Sequence, residues 1–176
     1  MNEIPSSSLI KSYVGNADFY DCFSSDIDSY QDETALELFI ELVTRSPAWF
    51  NFLMSLRNKI VSSFGMKDLG AIDDVNPQKN LENIKVGDRV GIFTLYKNTQ
   101  QEVILEDKDK HLNVKVSFHV TPNNSGAKLH ATTVVHLNNI FGKYYMFLIK
   151  PVHKLIVPTL LHRLRGAKNK GEQTAS

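Results

Sequence analysis

The side chains best suited to move a proton or hold a ligand in this chain are histidines, and four of them fall where regular structure would fix their neighbours. Leu112–Val120 alternates apolar and polar residues, and Leu129–Leu137 does the same beyond the turn Pro122–Gly126. A simple hairpin through that turn sets His119 opposite His130, and His136 opposite Asn113, on the polar side of both strands. Two cross-strand histidines could share a metal, but zinc takes three or four protein ligands and no third is spaced to join them. No metal is expected, and these histidines are expected to face solvent. His153 differs, because it flanks the inward side of a helical stretch, Ile140–Leu164. There an imidazole either serves as an acid–base group in a cavity or hydrogen-bonds to the sheet as a structural group. Tyr145 is the second acid–base candidate on that side.

Other chemistry finds little footing. The chain has no GxSxG elbow, no HExxH pair and no phosphate-cradling glycine loop, and no cofactor is expected. Cys22 is the single cysteine, so an intramolecular disulfide or cysteine-rich zinc site is impossible. Its neighbours Asp18 and Asp21 would disfavour a thiolate. Asp107 and Asp109 pair as carboxylates in sequence, but Lys108 and Lys110 interleave them, as at a solvated hairpin tip.

The elements that must position these groups can be read from periodicity. Ala17–Phe23 alternates, with Phe19 and Phe23 on one side and Asp21 between them, as in a first strand. From Glu33 to Thr44, Leu36, Phe39, Ile40 and Val43 share one helical face. Ser46-Pro47 restarts a helix, along which Trp49, Leu53, Leu56, Ile60 and Phe64 continue to a stop at Gly65. Gly70–Leu81 is a turn-rich connection. Strands follow over Arg89–Tyr96 and Val103–Leu105, then the two alternating runs described above, each with one wet and one dry face. In the final helix Phe141, Tyr145, Leu148, Val152, Leu155, Ile156 and Thr159 cluster on one side, with Lys143, Lys150 and Lys154 opposite. Pro151 and Pro158 lie on one flank and should bend it in one direction.

Composition bounds the function classes. A chain of 176 residues, 42% hydrophobic and 22% charged, fits one ordinary folded domain. Residues 1–16 form a lead-in that is extended or poorly ordered, 17–166 form the domain, and 167–176 form a flexible basic tail. A net charge of +1 gives no reason to expect nucleic acid as a partner. Residues 1–39 nevertheless carry eight acids against Lys11 alone, and residues 140–176 carry seven basic residues against Glu172 alone. That asymmetry is either complementary surface or a basic end for acidic head groups. The start MNEIPSSSLIK has no basic residue before an apolar run, so no signal peptide is expected and the expected address is cytoplasmic. Tyr144–Ile149 is apolar but short and bracketed by lysines, far below the roughly 20 apolar residues of a membrane span. Peripheral membrane contact remains open through the basic tail and the turn Trp49–Met54, which is apolar almost all round.

VGDRVGIFTL (Val86–Leu95), DKHLNVKVSF (Asp109–Phe118) and TTVVHLNNIFGKYYMFLIKPVHKLIVPTLL (Thr132–Leu161) together resemble the START-like or Bet v 1-like (SRPBCC) helix-grip superfamily. Within it the chain is similar to an uncharacterised bacterial family of unknown function. Asn113 stands where that family would carry an acidic residue. The resemblance implies an α+β fold in which a curved antiparallel sheet wraps a long C-terminal helix, with two shorter helices after the first strand. It also implies a cavity between sheet and helix. Members of the wider superfamily bind lipids, sterols or other apolar molecules there, and some catalyse cyclisation or dehydration.

The expected function is therefore non-covalent binding of an apolar or amphipathic small molecule or lipid. Val116, Phe118, Thr133, Val135, Tyr145, Leu148, Val152 and Ile156 are the expected walls. Thr159 and Arg163 add polar contacts near the helix end, where Arg163 would meet a carboxylate or phosphate. A cyclase- or dehydratase-type enzyme using His153 or Tyr145, and a protein- or membrane-surface module, are the alternatives. Oligomeric state is not readable from the sequence.

Overall fold

In the computed structural model, residues 2–28, 30–45, 83–124 and 126–173 are described, with side chains as far as residue 165. The second expected helix, the Trp49–Met54 turn and the Gly70–Leu81 connection lie outside the described residues.

The fold is α+β, built on one six-stranded antiparallel sheet of order β1-β6-β5-β4-β3-β2. The strands are β1 (Phe19–Ile27), β2 (Arg89–Val90), β3 (Phe93–Asn98), β4 (Glu102–Lys108), β5 (Leu112–Asn123) and β6 (Gly126–Leu137). Helix α1 (Ala35–Thr44) follows β1, and the long helix α2 (Ile140–Gln173) ends the described chain. A curved open sheet with a long C-terminal helix on one face is consistent with a helix-grip arrangement.

Register settles which side chains share a face. His119 pairs with His130 and Asn113 with His136, as the hairpin geometry requires. On the opposite, inner face Val116 pairs with Thr133 and Phe118 with Ala131, while β1 brings Asp21 beside Thr133. Gly126 sits at φ +137° where β6 begins, and a Cβ there would lie 2.1 Å from the Ile27 carbonyl oxygen, so only glycine lets β1 end this close.

The inner face is covered by α1 and the second half of α2. Thr34 starts α1 with a capping box, its hydroxyl accepting from Glu37 N–H while the Glu37 carboxylate accepts from Thr34 N–H. Seven of the ten α1 residues are buried, more than one helical stripe, because α1 lies between the sheet and α2. Phe39 meets Phe118 with ring centroids 5.0 Å apart, and Leu160, Leu161 and Leu164 of α2 close the same core. Burying each such side chain contributes about 1.5–3 kcal/mol.

The outer face departs from the sequence expectation of a wet surface. Ser8 and Ile10 of the N-terminal segment are buried, as are Glu102, Lys115, Ser117 and His119 on the sheet beneath it. Residues 2–14 run across the outer face as a strap, with a short 3-10 helix at Leu9–Tyr13. His119 thus faces the strap rather than solvent, with Nε2 3.4 Å from Ser7 Oγ.

The helical phase of α2 also differs from expectation. Tyr145, Val152 and Ile156 are half-buried against the sheet, but Leu148, Thr159 and Arg163 are exposed. Both sides of α2 are nearly equally apolar, and Met146, Ile149, Leu160, Leu161 and Leu164 draw the buried side round from the expected one. Thr159 Oγ1 donates to the Leu155 carbonyl one turn back, so its hydroxyl is satisfied within the helix. Pro151 and Pro158 both lie inside a continuous helix.

Candidate functional site

The inner face carries two separate apolar clusters. One is the large core around Phe39, Phe118 and Leu160. The other gathers Leu112, Val114, Leu137 and Tyr145 near the start of α2. Between them lies a polar row contributed by three elements. Asp21 projects from β1, Thr133 from its partner on β6, and His153 from α2 above both. His153 Nε2 is 3.3 Å from Asp21 Oδ1 and 3.0 Å from Thr133 Oγ1.

The chemistry of this row follows from donor and acceptor counts. A carboxylate accepts when ionised, so a proton on Nε2 would face Asp21, with Nδ1 on the other side of the ring. Asp21 is fully buried, yet its Oδ2 has no hydrogen-bond partner among the described residues. Buried carboxylate oxygens are costly when unpaired, and such an orphan in a native fold calls for a ligand, a water or a proton. His153 retains 22% side-chain exposure, so the row meets solvent at the histidine, along the seam between α2 and the sheet. Val116, Val152 and Ile156 flank the seam as half-buried apolar walls. Thr133, Val135 and Phe118 are more deeply buried, and Phe118 belongs to the filled core below.

The expected site residues are therefore divided. Val116, Thr133 and Val135 share the inner face of the sheet, and Val152, His153 and Ile156 lie half-buried on α2. Val116 and Ile156 pack against the large core, and His153 is in contact with Thr133. Tyr145 packs one step along the seam against Leu112 and Leu137. Leu148, Thr159 and Arg163 do not join them. Sequence reasoning missed Asp21 as a site residue, although its position between Phe19 and Phe23 on the inward row is the signal that marks it.

The outer face holds a different polar set. Glu102, 2% exposed, accepts from Ser8 Oγ (2.8 Å), Leu9 N (2.6 Å), Ile10 N (3.2 Å) and Ser117 Oγ (2.6 Å). One carboxylate thus caps the 3-10 helix and ties the strap to β4 and β5. Lys115 pairs with Glu106 and sits 4.1 Å from the Tyr96 ring centroid and 5.2 Å from that of Tyr13. The hydroxyls of Tyr13 and Tyr96 stand 3.4 Å apart, and that hydrogen bond, followed by burial, pushes Tyr13 up to about 12. Burial lowers His119, and burial together with the neighbouring His119 and Lys128 brings His130 down to about 4. Burial likewise raises the Cys22 thiol, so the thiolate is disfavoured there, chiefly by desolvation rather than by the nearby acids. An open cleft of about 750 Å³ beside the strap is lined by Ile4, Lys11, Tyr20, Thr121 and His130, among others. The cleft edges are largely strap backbone and surface side chains, and His130 Nδ1 at its edge has no hydrogen-bond partner among the described residues. The cleft offers no convergent set like that of Asp21, Thr133 and His153.

Among the described residues, no three metal-ligating side chains gather into a site, and no helix is long and apolar enough to cross a membrane. A family profile described as a protein of unknown function, DUF2867, matches residues 13–160. The chain belongs to that family. No curated protein matches the sequence. The DUF2867 match spans β1 to the buried end of α2, so it covers every residue of the seam and all of the sheet.

Proposed function

We propose that this DUF2867 protein binds an amphipathic small molecule in the seam between α2 and the sheet, with the ligand's polar end at Asp21, Thr133 and His153. The observation that carries the proposal is the unpartnered Asp21 Oδ2, buried beside a histidine that is still reachable from outside. A ligand hydroxyl or amine would donate to that oxygen or to His153 Nδ1, while its apolar part lies along Val116, Val152 and Ile156. Few polar groups set in apolar walls are what orient a ligand in a pocket. Membership in the wider helix-grip superfamily, a bacterial origin and a cytoplasmic address belong to the same proposal.

The test is extraction of natively purified protein with organic solvent, followed by mass spectrometry, for the wild type and for His153→Gln. The wild type is expected to release a small molecule in near-stoichiometric amount, and the variant, folded by circular dichroism, to release much less. Equal release from both would place the ligand elsewhere.

A second reading is favoured by the Asp21–His153 contact itself. A buried carboxylate that fixes an imidazole is the arrangement of an oriented general base. In that reading the seam performs a cyclase- or dehydratase-type step with His153 as the proton carrier. Conversion of the extracted molecule by wild type but not by His153→Gln would establish it.

A further inference from the structure

Among the described residues, a second face of helix α2 keeps large apolar side chains exposed. Ile140, Tyr144, Phe147 and Leu148 follow one another within about two turns, Leu155 comes two turns later, and all are between 52% and 78% exposed, while Phe141 beside them meets the His111 ring. Ile140, Tyr144 and Phe147 lie on the side of α2 turned away from the inward row of Tyr145, Ile149, Ile156 and Leu160, and Leu148 and Leu155 border that row. Single exposed apolar residues are ordinary, but five on one helix, two of them aromatic, mark an interaction surface.

Charge selects the occupant. From Ile140 to Arg165 the helix contains Lys143, Lys150, Lys154, Arg163 and Arg165 and no aspartate or glutamate. Lys143, Lys150 and Lys154 are exposed along one flank of the stripe. Two copies meeting through this face would bring like charges together, which opposes association. An anionic bilayer surface supplies the opposite sign at the depth where lysines reach outward from a buried apolar face. Aromatic rings at the head-group level, apolar side chains below them and cations beside them are the composition of an interfacial helix.

We propose that the outer face of α2 lies in the surface of anionic membranes, with the sheet held above it. The seam is then open close to the bilayer, since both flank the same helix. The proposal does not depend on what occupies the seam.

The test is co-sedimentation with vesicles of phosphatidylcholine alone and of phosphatidylcholine mixed with phosphatidylglycerol. Binding is expected to the anionic vesicles and to weaken as salt rises. Phe147→Glu with Leu155→Glu changes only exposed positions, and is expected to lower the partition coefficient at least about tenfold with the circular dichroism spectrum unchanged. Lys143→Glu with Lys154→Glu is expected to remove the preference for anionic lipid. Failure of the wild type to bind anionic vesicles would overturn the proposal, as would binding indifferent to both pairs of changes. Concentration-dependent dimerisation abolished by the Phe147 and Leu155 changes would also overturn it, by making the stripe a contact between copies.

Discussion

Replacing Glu102 by alanine leaves the Ser8 and Ser117 hydroxyls and the Leu9 and Ile10 amides without their shared acceptor. The expected loss is about 2–4 kcal/mol in urea denaturation, because several buried donors go unsatisfied together. Limited proteolysis should then open first within residues 2–14, and unchanged stability would show that the strap is held by other contacts. His130 adds a pH dependence on the same face. Its folded value is depressed to about 4 while an unfolded imidazole titrates near 6.5, so the unfolded chain binds more protons in between. Its contribution is present above about pH 6.5 and is lost as pH falls through about 4. For a partly exposed ring the effect is on the order of 1–2 kcal/mol. The stability–pH slope between those values should be shallower in His130→Asn than in the wild type, and identical slopes would contradict the assignment. At this scale the sequence was a partial guide. The pairing of His119 with His130 follows from strand register alone, but their burial depends on a strap whose grip uses backbone amides and so leaves no periodic trace. Glu102 was equally hidden, since a glutamate after the polar run Lys97–Gln101 reads as part of a turn.

The join between β6 and α2 is where one element fixes another. Asn139 Oδ1 accepts from Gly142 N and lies 3.1 Å from His111 Nδ1, and Asn138 N donates to the His111 carbonyl. The first turn of α2 is thereby clamped to the β4–β5 hairpin tip, and this sets where His153 falls over Asp21. A Cβ on Gly142 would lie 2.5 Å from the His111 carbonyl oxygen. Gly142→Ala should therefore cost about 1–3 kcal/mol in denaturant midpoint. Gly15→Ala, where nothing lies within 4 Å of the added atom, should stay within about 0.5 kcal/mol. Equal effects at the two glycines would mean the clamp yields. The long strand runs, hairpin register and the start of α2 were legible because each repeats with a fixed period, whereas the expected strand Arg89–Tyr96 turns back at Gly91-Ile92 to pair Val90 with Phe93 as β2 and β3. The phase of α2 was not, since an apolar stripe occurs on both sides and only packing against Phe39, Phe118 and the sheet selects between them.

Across the whole molecule, the large apolar core is separated from the smaller Leu112 cluster by a polar row that crosses the inner face. The acidic N-terminal third and the basic C-terminal helix meet at the Asp28–Arg165 pair, 3.5 Å apart, so part of the charge asymmetry is complementary surface. The remainder lies on the exposed flank of α2. The inward placement of Val116, Thr133 and Val135 was readable from alternation, because they share one row with the strand core. Asp21 was passed over because a strand acid is ordinarily solvated, and only the pairing of β1 with β6 brings it beneath His153.

The most direct test of ligand binding in the seam is methyl and imidazole nuclear magnetic resonance during titration with a panel of medium-chain fatty alcohols, amines and acids. Saturable shifts concentrated at Val116, Val152, Ile156 and His153, and absent in His153→Gln, are the predicted result. Shifts confined to Val14, Thr121 and His130 would put binding at the outer cleft and contradict the account.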